Sequence, residues 1–287
     1  MILITGATGT TGREVVKELS RLGARGVRAL VRDPARADFI REAGFETVAG
    51  DFERPETLGA ALAGVERALL LTPPTPDTVT HHRGFIEAAG GAGVRHVVKL
   101  SAIGAGADQP EGFGRWHGQA EDLLKSSGLR WTMLRPNFFM QNLLGQARQI
   151  AATGSIFQPV GDARASFIDV RDIAAVAARA LTEEGHEGQT YTLTGPEALS
   201  YQDVAAKLSE AAGRTITYVP ISPEQFRAGA LGAGLPEWLV SALERLNEIL
   251  AAGRAAEVTD AVRRAGRKEP TTFGQFARDH AEAFKGE

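Results

Sequence analysis

An apolar opening, Met1–Thr5, runs into Gly6-Ala7-Thr8-Gly9-Thr10-Thr11-Gly12 and then into a stretch with Val15, Val16 and Leu19 at helical spacing. Glycine at every third position between a strand-like run and a helix-like run leaves few folds open. Gly6 permits a sharp turn out of the strand. Gly9 lets a ligand approach the main chain with no Cβ in the way, and Gly12 lets helix and strand pack closely. The first N–H groups of the helix lack intrahelical partners and sit at its positive end, so the turn is predicted to hold an anion. Gly6, Thr8, Gly9, Thr10, Thr11 and Gly12 are the candidate contacts. The spacing Gly-x-x-Gly-x-x-Gly differs from the Gly-x-Gly-x-x-Gly of many dehydrogenases.

The rest of the first half alternates in the same way. Strands are predicted at 27–31, 46–49, 68–71, 94–100 and 131–134. Helices are predicted at 10–22, 34–43, 55–62, 78–92 and 114–126. Short apolar strands alternating with helices imply right-handed βαβ units and a parallel sheet covered on both faces. Leu69, Leu70, Leu71, Val97 and Val98 suit strands buried on both faces. Beyond residue 135 the rhythm loosens: strands are expected at 167–170 and 190–193, and helices at 170–181, 200–212, 237–250 and 273–284. Ser200 reads as an N-cap. The fold class is therefore α/β, a Rossmann-type doubly wound parallel sheet with a small, mostly helical C-terminal lobe. Residues 1–155 are assigned to the dinucleotide-binding part. Residues 156–287 are assigned to the remaining strands and a substrate-binding lobe, the two forming one intertwined unit.

Composition removes other classes. The 287 residues are 43% hydrophobic and 23% charged, as in ordinary globular proteins. There is no cysteine, which excludes disulfides, thiolate metal sites and a cysteine nucleophile. The balance 32 − 35 = −3 disfavours nucleic acid as a partner. The small basic cluster Arg263, Arg264, Arg267 and Lys268 reads as a solvated helix end. His81 and His82 are adjacent on a helix and make a poor metal pair, so no metal is expected. No Gly-x-Ser-x-Gly elbow exists. No apolar stretch approaches bilayer length and no leader is evident, so a cytoplasmic protein acting on a small molecule is expected, as a monomer or homodimer.

The second strand ends in Arg32-Asp33. A carboxylate at that tip favours the ribose hydroxyl of NAD, whereas an arginine favours the 2′-phosphate of NADP. Arg32 makes NADP the favoured cofactor, with Arg36 able to add charge; an Arg32–Asp33 pair would instead admit NAD. Asp51 and Phe52 follow the third strand, where an acid can accept from the adenine amino group or cap the next helix. Thr72 and Pro73 end the fourth strand at the carboxyl edge, where cofactors lie in open α/β sheets.

Such a sheet with this loop resembles the extended and atypical short-chain dehydrogenase/reductase superfamily. Its usual Tyr-x-x-x-Lys is replaced here by Phe113 and His117, and the three tyrosines, 191, 201 and 218, are far along the chain. TGATGTTG at 5–12, the arginine-tipped second strand, GD at 50–51, HGQAEDLLKSSGLRWTMLRPNFFMQNL at 117–143 and SFIDVRDIAAVA at 166–177 are similar to the NmrA-like family. That resemblance implies bound NADP(H) and hydride delivery to an acceptor such as a quinone, an azo or cationic dye, or an iminium compound. The alternative it implies is a non-catalytic NADP(H)-binding redox sensor. A sugar-nucleotide epimerase shares the loop but should need the Tyr/Lys pair. Already electrophilic acceptors need little acid catalysis, so the missing tyrosine is compatible with them.

Within that pattern His117 can hold the nicotinamide ribose or donate a proton, or simply pack on Trp116 and Phe113. Ser101 ends the fifth strand, where a serine often assists catalysis in the superfamily; a local loop hydroxyl is the other reading. Pro136 and Asn137 follow the sixth strand and are candidate cofactor contacts. Phe113, Phe138, Met140 and Asn142 are candidate substrate contacts, with core packing the competing role for Phe138 and Met140.

Overall fold

The computed structural model describes residues 1–286; the Arg36 side chain lies outside the described residues, and with it the charge assigned to Arg36. The chain divides into two interleaved units. The first comprises Met1–Pro136, Val170–Thr192 and Ala261–Lys268. The second comprises Asn137–Asp169, Leu193–Asp260 and the residues from Glu269 on.

The first unit is built from β1 (Ile2–Ile4), α1 (Thr10–Arg21), β2 (Val27–Val31), α2 (Asp38–Glu42), β3 (Glu46–Ala49), α3 (Leu58–Leu62) and β4 (Arg67–Leu70). It continues through α4 (Thr78–Gly91), β5 (His96–Leu100), α5 (Phe113–Ser126) and β6 (Arg130–Pro136). The sheet has seven strands in the order β3-β2-β1-β4-β5-β6-β9, with β9 spanning Gln189–Leu193. Strands β1 to β6 pair in parallel, and Ile4 lies between Ala29 and Leu69. The order reverses at β1, which has β2 on one side and β4 on the other; their carboxyl ends open the crevice where such sheets take ligands. Leu3, Leu62, Leu70, Phe85, Val97, Leu124 and Met133 fill one core, and the central strands β1 and β4 read apolar because both their faces are covered. Val170–Thr182 (α7) is buried nearly all round. Its Ala174, Ala175, Ala177, Ala178 and Ala180 let it lie close against α1 and α11 (Ala261–Gly266).

The second unit holds α6 (Ala147–Thr153), β7 (Ser155–Gln158), β8 (Arg164–Ala165), β10 (Leu199–Ser200), α8 (Tyr201–Ala212), β11 (Thr217–Pro220), α9 (Pro223–Gly232), α10 (Glu237–Ala251), α12 (Phe273–Asp279) and α13 (Ala281–Phe284). β7 pairs with β11 and β8 with β10 as separate two-stranded ladders. Ile150, Ile156, Phe167, Leu208, Phe273, Phe276 and Phe284 form its core. Ser200 is the N-cap of α8, in a reciprocal capping box with Asp203.

Local chemistry explains where element boundaries moved. Predicted helices 34–43 and 55–62 each start as a proline-led 3-10 turn, at Pro34–Arg36 and Pro55–Thr57, before α2 and α3. Segment 167–170 is not a strand: Ile168 makes a lone bridge with Phe139, and α7 begins at Val170 before a ladder can extend. The predicted helix 273–284 breaks at His280, whose φ of −118° departs from helical geometry. Among the described residues, no helix is long and apolar enough to cross a membrane.

Candidate functional site

The glycine loop follows β1 and is anchored by a residue that is not itself glycine. The buried Thr5 hydroxyl lies 2.9 Å from the Leu69 and Leu71 carbonyls and accepts from Leu71 N at 2.8 Å, locking the ends of β1 and β4 together. Gly6 has φ +63°, and a Cβ there would sit 2.0 Å from Leu71 Cδ2. A Cβ at Gly12 would come within 2.1 Å of the Gly6 carbonyl oxygen. Both glycines are thus demanded by the protein's own packing. Gly9 is different. Its φ of −81° suits any residue, and a Cβ there would meet only the Gly6 oxygen, at 3.4 Å. It stands at the N-cap of α1 with no side-chain cap, so the N–H groups of the first turn are left for an outside acceptor. Thr8 and Thr10 are exposed beside it and Thr11 is buried. This cradle fits a dinucleotide diphosphate, and Gly9 is the position where a side chain would fill it.

Arg13 braces the loop. Its Nε donates to the Thr8 carbonyl at 3.1 Å, and its guanidinium lies 4.1 Å over the Phe39 ring of α2. Spacing alone did not single it out, because its partner is on another βα unit. Arg32 is exposed directly after β2. Asp33 accepts from Ala35 N at 3.0 Å as cap of the next turn, and no ion pair among the described residues joins it to Arg32. Asp51 accepts from Glu53 N at 3.1 Å, forming its own local turn rather than capping the helix near Pro55. Phe52 packs its ring 5.8 Å from Phe85 and 6.2 Å from His81. Thr72 Oγ1 lies 2.9 Å from Nε2 of the buried His82, and Pro73 is exposed.

The most unusual chemistry lies between β5 and α5. Lys99 is completely buried, and its Nζ lies 3.0 Å from His117 Nδ1 and 3.2 Å from the Leu100 carbonyl. Burial lowers the Lys99 ammonium to about 7, with Glu121 working against that fall and Arg135 adding to it. Burial, and then the Lys99 charge, hold His117 well below the usual imidazole range. One turn further along α5, buried Glu121 takes a two-pronged contact from Arg135, at 2.9 and 2.6 Å, and a 2.6 Å hydrogen bond from Ser101. Burial pushes its carboxyl up, but the Arg135 and Ser101 bonds outweigh it and hold the carboxylate below its ordinary value. Ser101 therefore spends its proton on Glu121, a partner outside its own loop. On the same helix the Phe113 and Trp116 rings meet edge to face at 5.6 Å, and His117 has its polar partner in Lys99. Lys99, Glu121 and Arg135 were not picked out from sequence. The available signal was a lysine inside a strand whose two faces are both covered.

Two further expectations change. Asn137 is buried and fully engaged: Nδ2 donates to Ser166 Oγ at 2.7 Å and to the Ala255 carbonyl at 2.8 Å, and Oδ1 accepts from Phe138 N. It ties the end of β6 to Ser166 and Ala255. Met140 is 1% exposed inside the core of the second unit, so packing is its role. Pro136 is buried at the end of β6. Phe138 is half-buried with its ring 6.4 Å from Phe167, and Asn142 is exposed.

Comparison with known proteins gives the same picture. Residues 6–184 match the NAD(P)H-binding family. The chain is 45% identical over 284 residues to the NAD(P)H azoreductase of Xenophilus azovorans, with 99% of each chain covered. Its fold superposes on the NADPH-dependent quinone oxidoreductase QOR2 of Escherichia coli complexed with NADPH at a TM-score of 0.90, with 30% identity and 97% and 99% of the two chains covered. Against the Citrobacter sp. triphenylmethane reductase complexed with NADP(H) the TM-score is 0.86, with 26% identity and coverage of 98% and 100%. Glycine cradle, strand order and relatives agree, and the chain belongs to the NAD(P)H-binding family.

Proposed function

We propose that this protein is an NADPH-dependent reductase that delivers hydride to a small electrophilic acceptor, a quinone, an azo or cationic dye, or an iminium compound. The observation that carries the reading is the cradle at Gly9: main chain bare of side chains at the amino end of α1, where the protein itself leaves room for a Cβ. Relatives named as an azoreductase and a quinone oxidoreductase support the acceptor class. When bound, NADPH supplies the hydride from its nicotinamide ring. The chain's own residues do the rest. The first-turn main-chain N–H groups of α1, from Thr10 to Gly12, hold the diphosphate. Arg32 pairs with the 2′-phosphate, and Asp51, Phe52, Thr72 and Pro73 border the nucleotide along the carboxyl edge. His117, neutral and with Nδ1 occupied, offers Nε2–H as a donor, and Phe113 offers an aromatic edge to a flat acceptor. The absence of a tyrosine acid restricts the chemistry to acceptors that are already electron-poor. We place the protein in the cytoplasm, which a chain without cysteine suits.

Consumption of NADPH, followed by the absorbance of the reduced nicotinamide across a panel of quinones, azo dyes and triphenylmethane dyes, tests this. Turnover with at least one class is expected. Tight NADPH binding with every acceptor inert would favour the sensor reading instead. The cofactor assignment is tested separately by Arg32→Glu. Loss of a charge-assisted pair with the 2′-phosphate should weaken NADPH by roughly 10- to 100-fold. NADH, lacking that phosphate, should change by no more than a few-fold. Equal losses for both would remove Arg32 from the site.

A further inference from the structure

We propose that Lys99 and His117 form a proton-holding pair for the reduction, Lys99 acting as the positioning residue that fixes the His117 tautomer and refills its proton. This rests on the reductase reading above. A protonated lysine has only donors, so at 3.0 Å from Lys99 Nζ, His117 Nδ1 must accept and the neutral ring must carry its hydrogen on Nε2. Nothing in ordinary packing asks for this arrangement. A lysine on a central strand, 0% exposed, is costly unless paired, and its two polar partners here are the imidazole and the Leu100 carbonyl. His117 and Glu121 lie one turn apart on α5, so one helix face presents the base and the counter-charge to the same strand lysine.

The charged surroundings set where the proton rests. Glu121 on α5 favours the ammonium, whereas Arg135 on β6 opposes it. His82 on α4 is buried and kept neutral, chiefly by burial and then by Lys99, His117 and its neighbour His81. Lys99 thus holds the pair's one extra proton up to about pH 7, while the His117 ring stays neutral. A cationic dye or an iminium compound is neutralised by the hydride itself, but addition of hydride to one atom of a neutral C=O, C=N or N=N acceptor leaves an electron pair and negative charge on the other. There the His117 Nε2–H bond breaks as an O–H or N–H bond forms, and a Lys99 N–H proton passes to Nδ1. The pair is left as a neutral amine and an imidazole carrying its hydrogen on Nδ1; a proton from solvent then adds to Nε2 as the Nδ1 hydrogen returns to the Lys99 amine, which restores the ammonium and the starting tautomer. The pair is loaded below about pH 7 and empties above it, so the proton-dependent part of the rate should fall as pH rises through that value.

Nitrogen-15 NMR of the imidazole rings in the coenzyme-free protein reads the tautomer directly. His117 should show Nδ1 as a hydrogen-bonded acceptor and Nε2 as N–H, and should not become imidazolium near about 6.5, where an ordinary histidine titrates. Lys99→Met keeps the side-chain length but removes the charge. It should shift Nδ1 toward a mixture of tautomers while the melting temperature is retained or raised. With NADPH and a slowly reduced acceptor, the variant should lose about 10-fold or more in kcat at near-constant KM for NADPH, and lose the alkaline decline near neutral pH. A wild-type His117 protonated on Nδ1, or titrating as an ordinary histidine, overturns the pairing. So do wild-type ring shifts in Lys99→Met, and an unchanged pH profile overturns the proton-holding role. If Lys99→Met does not fold, the wild-type ring titration decides alone. The ring measurement uses neither coenzyme nor acceptor, so an inert acceptor panel would remove the reductase reading without touching the tautomer result.

Discussion

Gly9→Val should abolish measurable coenzyme binding, a loss of about 100-fold or more if two or three main-chain hydrogen bonds to the diphosphate go, while the melting temperature stays within about 2 °C of wild type. The asymmetry comes from the three glycines having different reasons to be there. At Gly9 the backbone is extended, with φ −81° and ψ 174°, and a Cβ finds only the Gly6 oxygen at 3.4 Å, so a side chain is accepted by the protein and refused by the ligand. At Gly12 a Cβ would stand 2.1 Å from the Gly6 oxygen and 2.7 Å from Ala7 Cα, both backbone atoms that cannot swing away. Gly12→Ala should therefore lower stability first and binding as a consequence. Calorimetry with NADPH and thermal melts on the two variants separate these cases. Undiminished affinity in a folded Gly9→Val protein would mean that the diphosphate does not lie on this loop.

Glu121→Ala should be among the most damaging single substitutions away from the loop. The carboxylate is 1% exposed and receives Arg135 through two nitrogens, Ser101 Oγ at 2.6 Å and Lys125 Nζ at 3.3 Å. Removing one member of a buried pair leaves the other uncompensated, at a cost of about 3 kcal/mol, part of which Arg135 recovers through its exposed fraction. For a chain of this size that is a fall of roughly 5–10 °C in melting temperature. Lys99 would also lose the one neighbour that favours its charge, so its ammonium should deprotonate more easily. The pH dependence has a definite sign. The folded carboxyl is held below its unfolded value, so its contribution is complete above about pH 4.3 and is lost as pH falls through the folded value. The stability gap between wild type and Glu121→Ala, measured by urea unfolding, should close as pH falls below about pH 5. A gap that widened below about pH 5 would contradict the ionised Glu121–Arg135 pair.

Some of this could be read from order along the chain and some could not. The strand–glycine–helix opening, the apolar strands around Leu69 and Val97, the cap at Ser200 and the arginine after β2 are all patterns completed within a few residues, and each appears in the structure close to where its spacing puts it. Brief elements escaped: β8 and β10 are two residues each, too short for any alternation to show. Asn137 looked like a ligand because it follows a strand end, yet its amide is spent on Ser166 and on Ala255, 118 residues away. Lys99 passed unread in its strand, because its partner His117 stands 18 residues on, on α5.

From its sequence alone this chain determined a wound parallel sheet with an anion cradle at the first turn, because backbone freedom at glycine and the period of apolar side chains act over one or two turns of chain. Which polar groups pair inside it was decided only by the tertiary structure. Burial makes an unpaired charge costly, and the partner that relieves the cost, His117 for Lys99 or Arg135 for Glu121, is whichever group the crossover brings within hydrogen-bond reach.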